Sequence, residues 1–197
     1  MKLAAIPLLF FILFYEPVWL NDRIYEAQRQ AIDESPFSNI NAFLTKTEAQ
    51  YTFRRDANYL YDLIKLLKKN PNDTIILREC HIVACNDCIA NQVDIYTQKQ
   101  YIPYVLNFHK GIMKQLKAIP MTNYRTLNSA GPGSLEHTDI KKIMQAIRSG
   151  DDINKNALKY SKEPCTQGED NHTTQFMYTV IFPDGKFKGI YMRCWKD

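Results

Sequence analysis

The chain has 197 residues, a formal net charge of +4 and 45% hydrophobic residues, 12 of its aromatics being tyrosine. That is enough for one domain with a real core, and it excludes a disordered or low-complexity chain. The lysines are scattered, with Lys65, Lys68, Lys69 and Lys141, Lys142 as the densest groups, and no basic block interleaves with aromatics, which argues against a nucleic-acid partner.

The N-terminus decides how the rest is read. From Leu3 to Leu20 the only charged side chain is Glu16, and the run carries Pro7 and Pro17 and closes on Tyr15 and Trp19, residues that favour a membrane interface. Leu3–Tyr15 fits the apolar core of an export signal, and residues 3–20 fit a short membrane anchor. No small-residue cleavage site follows, so retention as a signal-anchor over residues 1–20 is favoured over a cleaved signal peptide. The positive-inside count is nearly tied, Lys2 facing Arg23 and Arg29.

Asn21 and Asp22 then cap a helix running through Arg23–Ile32 and ending at Ser35-Pro36, read as a helical stalk over residues 21–36. The body is residues 37–197. Phe53, Ala57, Leu60, Leu63, Ile64 and Leu67 recur at helical spacing and Asn70-Pro71-Asn72 stops them, which predicts a helix over 40–70. Ile75, Ile76, Ile82, Val83, Ile89, Val93 and Tyr96 form a second stripe, so a helix from Thr74 to about Gln100 is expected to pack antiparallel to the first, giving a helical pair over 40–100.

Pro103 is expected to end or bend that second helix. Thr122–Leu127 alternates like a short strand, Ser129–Gly133 is a turn, and Ser134 caps a helix with Ile140, Ile143, Met144 and Ile147 as its stripe and Gly150 as its stop. Asn156–Tyr160 reads as a strand. Gln175–Phe182 and Phe187–Trp195 flank Pro183-Asp184-Gly185-Lys186, a strong hairpin signal, and a sheet with an amphipathic helix against it follows for residues 101–197. The fold class expected is α+β: an N-terminal apolar helix and long antiparallel helices, then a small antiparallel sheet ending in the hairpin.

The five cysteines are Cys80, Cys85, Cys88, Cys165 and Cys194. An exported domain is expected to hold two bridges and leave one thiol over. Cys165 with Cys194 is the favoured pair, closing a loop of about 30 residues that contributes roughly 3 kcal/mol. Its companion bridge draws on Cys80, Cys85 or Cys88. Two tripeptides, Asn72-Asp73-Thr74 and Asn171-His172-Thr173, have the spacing of N-glycosylation acceptors.

Other chemistry at these residues is weaker. The C-x4-C-x2-C spacing of Cys80, Cys85 and Cys88 matches a plant-type iron-sulfur loop, but no glycine separates the ligands and the run sits in an apolar stripe. Zinc held by Cys85, Cys88 and two of Cys165, His172 and Cys194 would have a single C-x2-C pair where structural sites show two. Redox activity at Cys85–Cys88 wants a helix N-terminus, which Asp73 places more than two turns earlier. His81, His109 and His137 adjoin no nucleophile motif, and Glu136 and Asp139 sit where acids are expected in a first helical turn. No cofactor, no metal site and no catalytic residue is assigned.

Long N-terminal helices leading from a membrane segment into an antiparallel sheet closed by Phe182-Pro183-Asp184-Gly185-Lys186-Phe187-Lys188-Gly189 resemble an extracytoplasmic PAS or Cache sensor domain over Tyr101–Trp195. A single span with such an outer domain also resembles the T4-type phage holins. The first resemblance implies a non-catalytic, sensor-like module tethered through residues 3–20. The family's ligand residues do not carry across to this chain; binding of a small ligand or protein partner outside the cytoplasm is expected through the sheet and the loops Gly131–Ser134 and Gln167–Thr173. The second implies a lysis-regulating membrane protein. A secreted disulfide-containing enzyme or effector is the further alternative should the N-terminal segment be cleaved.

Overall fold

The computed structural model describes residues 5–34, 57–82, 92–107, 112–121, 138–160 and 174–192. Three helices of twelve residues or more and one antiparallel sheet organise them: α1 (Ala5–Glu34), α2 (Ala57–Lys69), β1 (Ile75–Ile82), β2 (Gln92–Tyr96), β3 (Gln100–Asn107), β4 (Ile112–Gln115), β5 (Ile119–Pro120), α3 (Thr138–Ser149), the four-residue α4 (Ala157–Tyr160), β6 (Thr174–Ile181) and β7 (Phe187–Met192). The strand order is β4-β3-β2-β1-β6-β7, with β5 also on β3, so the sheet has seven strands and β1 lies at its centre.

The mixed α+β class and the terminal hairpin agree with the sequence pattern. The hairpin turns at Pro183-Asp184, with Gly185 at φ 79° in the left-handed region that a side chain disfavours. Phe182 and Lys186 close the turn through the Phe182 N–H donating to the Lys186 carbonyl at 2.9 Å.

The second long helix is corrected. Where a helix over 74–100 was expected, the described residues form β1 and β2, paired antiparallel with Ile76 opposite Tyr96 and Arg78 opposite Asp94. β1 has neighbours on both sides and helices over both faces, so Ile75, Ile76 and Leu77 are all buried and no alternation marks the strand. The helical pair over 40–100 is thereby corrected too. Its first member is described only as α2; residues 40–56 lie outside the described residues.

Pro103, expected to end a helix, sits inside β3. Its carbonyl accepts from the Leu116 N–H at 2.8 Å, and β4 pairs with β3 from Tyr104 onward while β5 pairs only with Gln100 and Tyr101. The side on which its N–H would point is thus the gap between β4 and β5, where the missing donor breaks no ladder bond. Asn156–Tyr160, expected as a strand, contains the short helix α4. The strand expected at Thr122–Leu127 lies outside the described residues.

The described residues of the expected anchor and stalk, 5–34, are one continuous helix. Leu20, Ile24, Ala27, Gln28, Ala31 and Ile32 recur every three or four positions and are buried, so α1 lays one stripe on the sheet from Leu20 onward. With α2 it covers one face: Leu20, Ile24, Tyr59 and Leu63 pack on Leu77, Val93, Ile95 and Ile102. On the other face α3 packs Ile140, Ile143 and Ala146 against Ile76, Tyr96, Tyr178, Val180 and Ile190. Among the described residues, no helix is long and apolar enough to cross a membrane.

Candidate functional site

Three neighbouring strands place a charged row across the centre of the sheet. Arg78 of β1 stands opposite Asp94 of β2 on one side and Tyr178 of β6 on the other. Arg78, 1% exposed, has its Nε 3.0 Å from Asp94 Oδ2, an ionic contact in which the N–H is not aligned for a hydrogen bond. Its Nη1 donates to Asp139 Oδ2 at 3.2 Å. The Tyr178 hydroxyl donates to the same oxygen at 2.7 Å. Asp139 Oδ1 takes the Ile140 N–H at 2.7 Å, so the carboxylate sits in the first turn of α3, where a helix favours negative charge. Asp94 further accepts from Tyr101 at 3.0 Å and from Gln92 at 3.1 and 3.0 Å.

Burial sets the protonation of this row. It raises the Asp94 carboxyl above the ordinary carboxylate range, an effect that the Arg78 charge opposes without cancelling. Burial also raises the Tyr96 and Tyr101 phenols. Desolvation by itself would lower Arg78, but Tyr96, Asp94 and Asp139 outweigh it and the guanidinium is held charged. One cation thus stands between two buried acids, and burial favours the neutral form of Asp94. The chemical consequence is positional: the row ties the first turn of α3 to the sheet.

A second buried polar cluster does the same for α1 and α2. Gln28 Nε2 donates to Glu79 Oε2 at 2.6 Å and to Thr179 Oγ1 at 3.1 Å, and the Tyr59 hydroxyl donates to Glu79 Oε1 at 2.8 Å. Arg78 and Glu79, adjacent in β1, therefore point to opposite faces and anchor helices on each.

With α3 fixed across the sheet, a cavity of about 810 Å³ opens between it and the end of the sheet formed by Thr74, the β2–β3 turn and Met121. Ile140, Met144, Ile147 and Met121 give it an apolar wall, and Lys141 and Arg148, seven residues apart on α3, give it a cationic edge. The opposite wall is firm. Thr97 Oγ1 accepts the Lys99 and Gln100 N–H groups at 3.2 and 3.0 Å, and the Met121 N–H donates to the Lys99 carbonyl at 2.9 Å. Its size, and an apolar wall beside polar and charged side chains, are what small-molecule sites share.

Of the residues singled out in the sequence, Cys80 lies in β1, opposite Phe176 of β6 and Gln92 of β2. Cys85, Cys88, Cys165 and Cys194 lie outside the described residues, as do His109, Glu136, His137, His172 and the loops Gly131–Ser134 and Gln167–Thr173. Of the Glu136–Asp139 run, Thr138 and Asp139 are described, and Asp139 serves the buried row. Among the described residues, no group of three His, Cys, Asp or Glu could hold a metal ion. Sequence reasoning missed Arg78, Glu79 and Asp94, because polar residues in a stripe of helical spacing read as a solvated face. The signal that could have found the cavity was the pairing of Lys141 and Arg148 beside the apolar stripe of α3.

No protein-family model, curated protein or solved structure matches this chain.

Proposed function

We propose that the protein is a membrane-tethered, non-catalytic binding module whose body lies outside the cytoplasm, and that it takes an amphipathic small molecule with an anionic group in the cavity beside α3. The observation that carries this reading is the cavity itself, about 810 Å³ with an apolar wall and the charges of Lys141 and Arg148 at its edge. A ligand of that chemistry would bury its chain against Ile140, Met144, Ile147 and Met121 and leave its headgroup between the two cations. The tether in this proposal is the apolar N-terminal half of α1, and the sensor-like, PAS or Cache character of the domain belongs to the same proposal. Two disulfides among the five cysteines, Cys165 with Cys194 foremost, complete it; alkylation mass of the natively located protein should show four cysteines protected until reduction.

The test of the site is calorimetric titration of the full chain with dodecyl phosphate and with dodecyl maltoside, each below its micelle concentration. We expect saturable one-site binding of the phosphate, weakened at least about tenfold in Arg148→Glu, since one well-placed charge contact is worth roughly 1.5 kcal/mol. Equal binding of both amphiphiles, or an unchanged affinity in the variant, would remove the anionic headgroup from the proposal.

A further inference from the structure

The sheet has one end at which β1 begins, β6 ends and β7 begins, with Ile75, Ile181 and Phe187 in register. α1 enters the domain there. Trp19 meets Phe187 edge-to-face with ring centroids 6.1 Å apart, and the Arg23 guanidinium lies 5.3 Å above the same Phe187 ring. Pro17 is buried and Leu20 fully so, which makes Val18 and Trp19 the exposed side of the turn by which the helix joins the core.

This fixes how much apolar helix is left for a bilayer. The part of α1 from Ala5 to Trp19 spans about 22 Å at 1.5 Å per residue, short of the roughly 30 Å hydrocarbon core. A tether of that length reaches full depth only if the end of the domain from which it emerges enters the interfacial layer. That end has the surface for it. Val18 and Trp19 are 56% and 48% exposed. Beside them Leu67, Pro71, Pro183 and Phe187 line an apolar groove of about 430 Å³. Lys68 and Asp73 edge the groove, and Lys186 and Asp184, 2.6 Å apart, stand at the hairpin tip. Charges of both signs around an apolar, aromatic patch suit a zwitterionic headgroup layer, where Trp sits by preference.

We infer that this end of the domain, centred on Trp19 and the adjoining groove, docks into the headgroup–acyl boundary of a phospholipid bilayer. The inference rests on the tethered reading proposed above. It also places the mouth of the α3 cavity, built from Thr74 and the β2–β3 turn, at the membrane-facing end of the sheet.

The experiment uses the full chain with Trp195→Phe, so that Trp19 is the single indole, in phosphatidylcholine vesicles brominated either near the headgroup or near the chain end. Flotation reports the tether and quenching reports the docking. We expect co-flotation with Trp19 quenched more by the shallow bromine, and loss of that quenching in Val18→Asp, a substitution at an exposed position that leaves the circular dichroism unchanged. Co-flotation with no quenching would show a domain held off the bilayer and overturn the docking alone. Stronger quenching by the deep bromine would likewise overturn it, by placing Trp19 inside the core. Failure to float would overturn the tether, and the docking with it.

Discussion

Gly189 of β7 lies directly under the backbone of Ala27 in α1: a Cβ at position 189 would fall 2.0 Å from the Ala27 carbonyl oxygen and 2.9 Å from the Gln28 Cα. The contact is with backbone, which cannot swing aside, so α1 can approach the sheet this closely only because residue 189 has no side chain. That approach is what brings Gln28 within 2.6 Å of Glu79. Gly189→Ala is therefore expected to destabilise by at least the ~1–3 kcal/mol usual for overpacking, with α1 lifted from β7. Urea unfolding checks the magnitude, and hydrogen exchange should show faster exchange in α1 while α3 is little changed.

Arg78 stands between two buried carboxylates, so removing it should do more than remove a contact. Arg78→Met leaves Asp94 and Asp139 facing each other in a dry interior, and a cost of about 3–5 kcal/mol at neutral pH is expected. The pH dependence has a definite sign. The Asp94 carboxyl is raised above its ordinary 3.8 by burial, so its contribution to stability is fully present below 3.8 and is lost as pH rises through the raised value. Without Arg78 the rise is larger. The deficit of Arg78→Met relative to the parent chain should therefore shrink on acidification from pH 7.5 to 5, as read from paired urea midpoints. A deficit that grows on acidification would mean that the row is not held by this charge.

Asp151 shows the opposite sign at the far end of α3. Its Oδ2 accepts from the Tyr160 hydroxyl and from Lys159 Nζ at 3.0 Å, and its Oδ1 from Asn156 at 2.6 Å. These bonds, the Tyr160 one foremost, hold its carboxyl down to about 2. A depressed carboxyl contributes stability that is present above 3.8 and is lost as pH falls toward 2. In Asp151→Asn the thermal midpoint should accordingly fall less steeply over that acid window than in the parent chain. The difference is expected to be small, because the group is near solvent.

The parts of this fold that were legible in the sequence are those with a local signal. α3 declared itself through the stripe Ile140, Ile143 and Ile147, and the last hairpin through its turn Pro183-Asp184-Gly185, although β6 is buried on both faces from Met177 to Ile181. β1 did not, because a central strand covered on both sides shows a run, Ile75-Ile76-Leu77, in place of alternation. The same burial hid Arg78 and Glu79. Charged residues are rarely inside, and nothing local marks these two as exceptions, since each is matched by partners contributed from strands and helices distant in sequence. α1 was legible only in part. Its first half is so apolar that it suggested a membrane segment ending at residue 20, while the stripe Leu20, Ile24, Ala27, Ala31 that docks it on the sheet begins at that same residue. No local pattern distinguishes a helix that leaves a membrane as a stalk from one that leaves it directly into a core.

The cavity beside α3 gives the last prediction, which separates a binding site from a packing defect. Met144 is half-buried on the cavity wall, and an indole at that position would take up part of the 810 Å³ without displacing the buried stripe Ile140, Ile143 and Ala146 behind it. If the space is a defect, filling it should stabilise, by up to about 1 kcal/mol, and have no other effect. If it is a site, Met144→Trp should leave the urea midpoint within about 1 kcal/mol of the parent and abolish the saturable uptake of dodecyl phosphate. The new indole should itself report the outcome, since a ligand that still entered would shift its emission. Retained affinity with an unshifted indole would place the amphiphile elsewhere on the protein, the groove at Trp19 and Phe187 being the next apolar surface to examine by the same substitution strategy.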